Sequence, residues 1–124
     1  MEKTQILIVD DEQHIRLLVR GILGDEFVVL EASDGAKAVD MARKHKPGLI
    51  LMDILMPNMD GYTACSIIKS DQSTKSIPVV MLTGLGFELN KKLAREIGAD
   101  SYITKPFTSK KLLDTISKLL EINK

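Results

Sequence analysis

The sequence is short of the features that staple a chain, export it or fix it in a membrane. Its one cysteine, Cys65, excludes an internal disulfide framework and is compatible with a reducing compartment, so a cytoplasmic location is expected. No apolar run approaches ~18 residues and the first five residues carry no secretory signal, so neither a membrane span nor export is indicated. An excess of charge of one sign is also missing. The 17 Lys and Arg residues balance 17 Asp and Glu, which removes bulk attraction to nucleic acid or acidic membranes. There is no Walker-type loop, zinc-ligand spacing, internal repeat or low-complexity linker. What remains is 124 residues, 44% apolar and 27% charged, the make-up of one ordinary globular domain spanning 1–124.

The balanced charge is unevenly placed. Residues 1–62 carry a net −4 and residues 63–124 a net +4. Chance scatter over solvated faces gives such a split, and so does an acidic site from the first half answered by lysines from the second.

Short and long apolar units alternate along the chain. Gln5–Val9 reads as a strand buried on both faces, and Phe27–Ala32, Leu49–Met52, Pro78–Leu82 and Asp100–Thr104 as four further strands. Between them, Ile15, Leu18, Val19 and Ile22 mark one helix face, and Ala36–Lys44 a helix capped by Asp34. A third helix, Ala64–Lys69, is entered through Asp60-Gly61, and a fourth carries Leu89, Leu93 and Ile97 before a stop at Gly98. The last helix, with Leu112, Leu113, Ile116, Leu119 and Leu120, has Thr108 as its cap. Five strands alternating with five helices predict an α/β fold, a doubly wound five-stranded parallel sheet covered on both faces. Functional groups in such sheets gather beyond the carboxyl ends of the strands.

At those ends stand Asp10, Asp11 and Glu12 after the first strand, Asp53 after the third, Thr83-Gly84 after the fourth and Thr104-Lys105-Pro106 after the fifth. Capping of the next helix accounts for Asp10 or Asp11 alone. Three carboxylates converging from two strands call for a neutralising cation, and oxygen ligands without His or Cys point to Mg²⁺. Asp53 is then placed to attack phosphorus, with the metal, Lys105 and Thr83 holding the phosphoryl oxygens.

Four segments in order carry a family resemblance over essentially the whole chain. Residues 6–11 (Ile-Leu-Ile-Val-Asp-Asp), 51–61 (Leu-Met-Asp-Ile-Leu-Met-Pro-Asn-Met-Asp-Gly), 82–84 (Leu-Thr-Gly) and 105–107 (Lys-Pro-Phe) are similar to the receiver domain of bacterial two-component response regulators. The resemblance implies a flavodoxin-like sheet of strand order 2-1-3-4-5. It implies that Asp53 is the phosphoacceptor, that Asp10, Asp11, Asp53 and the Leu55 carbonyl hold Mg²⁺, and that Thr83 and Lys105 engage the phosphoryl group. It further implies a cis Lys105-Pro106 bond that aims the lysine inward, and Tyr102 as an aromatic switch that turns inward on phosphorylation. The face built from the fourth helix, fifth strand and fifth helix then changes shape, with Lys91, Lys92, Lys110 and Lys111 on or near it as partner-binding cations. The implied partners are a histidine kinase or histidine phosphotransfer protein and a downstream protein target, without direct nucleic-acid or membrane contact. The implied state is a monomer or a weak phosphorylation-dependent dimer.

Two positions that vary in that family are leucine here. Leu55 and Leu85, each two residues beyond Asp53 and Thr83, offer attacking water no hydrogen-bonding partner, which predicts slow self-dephosphorylation. Gly84, where many members carry Ala, keeps the phosphoryl pocket open and the loop looser. A haloacid-dehalogenase-like phosphatase would need a second Asp where Leu55 stands. A flavodoxin-like cofactor binder would need a phosphate loop where Asp10-Asp11-Glu12 stands, and a pseudo-receiver would lack Asp53 or Lys105. The reading is therefore a phosphorylatable signalling module rather than an enzyme acting on an external metabolite. Since the sequence stops at Ile122-Asn123-Lys124, it fits either a single-domain regulator or a receiver cut from a longer protein.

Overall fold

The computed structural model describes residues 2–122, so Asn123 and Lys124 of the expected ending lie outside it. Five strands, β1 (Gln5–Val9), β2 (Val28–Ala32), β3 (Leu49–Met52), β4 (Val79–Thr83) and β5 (Ser101–Thr104), form one sheet in the order β2-β1-β3-β4-β5. Every neighbouring pair is parallel. The helices are α1 (Gln13–Leu23), α2 (Gly35–His45), α3 (Gly61–Ser70), α4 (Glu88–Glu96) and α5 (Ser109–Ile122), with a single 3₁₀ turn at Gly24–Glu26.

The uninterrupted apolar strands follow from a core on each face. Leu7, Val9, Ile50, Met52, Val79 and Met81 point one way, onto Ala38 and Ala42 of α2, Ala64 and Ile68 of α3 and Ala94 of α4. Ile6, Ile8, Leu49, Leu51, Val80 and Leu82 point the other way, onto Val19 and Leu23 of α1 and Leu112 and Ile116 of α5. Alternation of side chains along a strand sends successive residues to opposite layers.

Local signals set the helix starts. Asp34 accepts from the Lys37 N–H at 2.9 Å, Asp60 from the Thr63 N–H at 2.8 Å and Thr108 from the Lys111 N–H at 3.0 Å. Each such cap is worth about 1 kcal/mol. Gly98, with φ of 103°, lies just past α4 in the left-handed region where glycine carries no penalty.

Three expectations need correction. Phe27, Pro78 and Asp100 each stand just before their strand rather than opening it, and β4 runs on to Thr83. Leu18 is 52% exposed, because the inward arc of α1 is centred on Val19 and Leu23. On α4, Leu89 and Leu93 are 75% and 41% exposed, and the buried contact is Ala94. A helix lying close against the sheet through a methyl group has no room for leucines on that arc, so periodicity of large apolar residues misreads its orientation.

Candidate functional site

The turn leaving β1 brings three carboxylates together. One carboxylate oxygen each from Asp10, Asp11 and Glu12 lies within 4.8 Å of the others. Asp10 is buried, while Asp11 and Glu12 are exposed at the mouth. The turn is tied from three sides. The Asp10 N–H donates to the Ala32 carbonyl of β2, the Glu12 N–H donates to Asp10 Oδ1, and Arg16 Nη1 donates to the Asp10 carbonyl at 2.7 Å.

Asp53 leaves β3 alongside. Its N–H donates to the Val9 carbonyl, and its Oδ1 accepts from the Ile54 N–H at 2.7 Å. Only glycine fits at position 61, since a Cβ there would stand 2.1 Å from the Asp53 carbonyl oxygen. Lys105, beyond β5, reaches across to donate from Nζ to Asp10 Oδ2 at 2.8 Å and to Asp53 Oδ2 at 3.1 Å. The Lys105-Pro106 bond is cis. The uneven charge along the sequence thus has a structural counterpart, a lysine of the basic half set between two aspartates of the acidic half.

Burial pushes the Asp10 carboxyl above its ordinary value, an effect only partly offset by Lys105 and the Glu12 N–H. Burial pulls the Lys105 ammonium down, but Asp10 and Asp53 outweigh it and leave the lysine raised and charged. The partners differ because the Asp10 side chain is 3% exposed and that of Lys105 is 17% exposed. One ammonium does not neutralise this many carboxylates.

The donors fit a hard divalent cation: clustered carboxylate oxygens, one of them deeply buried, with no nitrogen or sulfur ligand in the group. Asp53 and Leu55, also expected as ligands, border the same cleft of 320 Å³, together with Asp11, Glu12, Thr83, Gly84, Leu85 and Lys105. Glu12, directly after Asp11 on the same turn, adds a third carboxylate to the group beside the expected pair.

Thr83 is buried at the end of β4, and its Oγ1 accepts a long bond of 3.4 Å from the Leu85 N–H. Tyr102 is half-buried against the α2 and α3 layer, and its hydroxyl donates to the Leu85 carbonyl. Burial raises that hydroxyl to about 12. The two expected switch residues therefore meet at one loop residue, Leu85, Thr83 at its N–H and Tyr102 at its carbonyl. Lys91 and Lys111 border a groove with Tyr102 and Phe107, and Lys91 lies 3.7 Å from Glu88. Lys110 is exposed and paired with Asp114 on its own helix, away from that groove's lining.

The profile of the response regulator receiver domain matches residues 6–117. The chemotaxis protein CheY of Halobacterium salinarum is 44% identical over 117 residues, covering 94% of this chain and 96% of that protein. Histidine kinase P4 of Formosa agariphila is 41% identical over 97% of this chain, which spans only 9% of that kinase. Among solved structures, the receiver domain of a Pseudomonas aeruginosa sensor histidine kinase has a TM-score of 0.89 at 25% identity, covering 97% of this chain and 99% of that one. That structure holds a magnesium ion in its active-site cleft. No helix among the described residues is long and apolar enough to cross a membrane. With the acidic turn, Asp53 and Lys105 in one cleft and the profile matched over most of its length, the chain belongs to the response regulator receiver domain family, the phosphoacceptors of two-component signalling.

Proposed function

We propose that Asp53 is the phosphoacceptor of this chain and that its donor is a phosphohistidine on a kinase or phosphotransfer protein of the cytoplasm. The observation that carries this reading is the Lys105 ammonium shared between Asp10 and Asp53 inside an acidic cleft. A carboxylate oxygen of Asp53 attacks phosphorus, the P–N bond breaks, and the electron pair leaves with the imidazole nitrogen, which takes up a proton. Asp10, Asp11, Asp53 and the Leu55 carbonyl would hold Mg²⁺, which would supply charge neutralisation for the phosphoryl oxygens. Lys105 stays charged beside the acceptor and follows the phosphoryl group as negative charge develops there. The Ile54 N–H fixes one Asp53 oxygen and so the direction of the other.

Phosphorylation adds strong acceptors at Asp53. Thr83 leaves the Leu85 N–H for them, the loop holding Leu85 shifts, and Tyr102, bonded to the Leu85 carbonyl, follows. The groove beside Tyr102, with Lys91 and Lys111 at its edge, changes with it and serves a downstream protein. Lys110 joins that surface only after release from Asp114. Leu55 and Leu85 both line the cleft, which supports slow hydrolysis of the aspartyl phosphate.

Intact-mass analysis after incubation with acetyl phosphate tests the reading. One phosphoryl adduct that needs both Mg²⁺ and Asp53, and is absent in Asp53→Asn, is expected. An adduct of equal size in Asp53→Asn refutes the assignment. In the same assay Leu55→Asn or Leu85→Glu shortens the adduct's lifetime about tenfold, since a polar group can then orient water. Unchanged decay in both variants removes the leucines from the account.

A further inference from the structure

Residues 54–60, between β3 and α3, form a loop without regular structure that carries Leu55. Its two ends are joined by the bond from the Gly61 N–H to the Ile54 carbonyl at 2.7 Å. Its apex is held by a residue from a different part of the chain. Asn58 Nδ2 donates to Asp34 Oδ2 at 2.9 Å, while Asp34 Oδ1 caps α2. Asp34 is 5% exposed. The backbones touch as well: the Gly35 N–H donates to the Met59 carbonyl, and a Cβ on Gly35 would lie 2.5 Å from that oxygen.

Asn58 has φ of 68°, a conformation that asparagine tolerates and glycine adopts freely. The backbone alone is therefore satisfied by glycine, and the side-chain amide does something more. Asp34 lies two residues beyond Ala32, whose carbonyl accepts from the Asp10 N–H at 3.1 Å. The short stretch from Ala32 to Asp34 thus holds the acidic turn with one end and the Leu55 loop with the other.

We propose that Asp34 and Asn58 are positioning residues for the divalent-cation site, setting the distance between the Leu55 loop and the Asp10–Asp11 turn. This rests on the reading that the loop and the turn bind one Mg²⁺. Neither side chain reaches the reacting atoms. They act by removing the freedom of a loop whose carbonyl must meet a cation held mainly from another strand. Outer residues that orient metal ligands typically change affinity by about 10- to 100-fold when removed.

The test is calorimetric titration of the full chain with Mg²⁺, alongside phosphorylation rates from acetyl phosphate across Mg²⁺ concentrations. Asn58→Gly keeps the backbone conformation and removes the amide. Asn58→Asp keeps the side chain's shape and sets carboxylate against carboxylate. Each single variant is expected to weaken Mg²⁺ binding about tenfold, with the rate at saturating Mg²⁺ within about twofold of wild type. The exchange variant Asp34→Asn with Asn58→Asp reverses donor and acceptor, and is expected to recover affinity to within about threefold. Wild-type affinity in Asn58→Gly, or an exchange variant no better than the singles, overturns the positioning role and leaves Asp34 a helix cap. A wild-type chain that binds no Mg²⁺ overturns the metal reading itself, and the positioning role with it.

Discussion

Two charge clusters meet at the end of β1, and their balance is opposite. On the outer edge, Glu31 of β2 is gripped by Arg16 at 2.9 Å and Arg20 at 2.7 Å, two cations on one carboxylate. The bond from Arg20 holds the Glu31 carboxyl below its ordinary value despite some burial, with Arg16 adding to the effect. In the cleft, the single ammonium of Lys105 serves Asp10 and Asp53, with Asp11 and Glu12 close by, and burial leaves Asp10 raised. The first cluster is complete and fastens α1 to the sheet edge. The second is short of positive charge at a depth where that shortage is costly, which is the electrostatic condition for taking up a cation. Arg16 joins the two, since its other nitrogen holds the Asp10 carbonyl.

The largest way to break this contrast is to delete the ammonium that pairs directly with both aspartates of the cleft. Lys105→Met is expected to slow phosphorylation from acetyl phosphate by about 10²–10³-fold, the usual loss for one well-placed donor to a charged transition state. A rate within fivefold of wild type would mean the lysine merely balances the resting charge.

A smaller effect comes from relieving the shortage on the acid side. Without Mg²⁺, Asp10→Asn is expected to be more stable than wild type at pH 7. Because the folded-state value of Asp10 is raised, wild type loses stability as the pH climbs through it. Below the ordinary value of 3.8 the carboxyl is protonated in both states and the advantage disappears. Thermal melts at several pH values measure this, and added Mg²⁺ should stabilise wild type more than the variant.

The smallest effect belongs to the completed cluster. Glu31→Gln is expected to cost less than about 1 kcal/mol at pH 7, as partly exposed ion pairs do. With a depressed folded-state value, Glu31 contributes stability above its ordinary 4.5 and loses it as the pH falls. The gap between variant and wild type therefore closes in acid, the reverse of the Asp10 profile. Parallel profiles for the two variants would erase the distinction between the clusters.

The inner strands β1, β3 and β4 were legible because each is buried on both sides, so its apolar run needs no partner to be recognised, while the half-buried edge strands β2 and β5 were placed by their position between helices. The caps at Asp34, Asp60 and Thr108 were equally local. The orientation of α4 was not, since Ala94 makes the inner contact while Leu89 and Leu93 lie outside it. Asp10, Asp53, Thr83 and Lys105 could be placed together because parallel strands deliver their carboxyl ends to one edge. The Arg16 bond to the Asp10 carbonyl and the Asn58 bond to Asp34 could not, because each depends on how a long side chain crosses between elements 6 and 24 residues apart.

The crowding under Asp53 has a mechanical consequence. With Gly61 against its carbonyl, the Asp53 backbone sits on an anvil, with no room to move toward the start of α3. Across the cleft, a Cβ on Gly84 would meet nothing within 4 Å. The cleft therefore resembles a vise, with one jaw crowded against its neighbours at Gly61 and open space beside the other at Gly84.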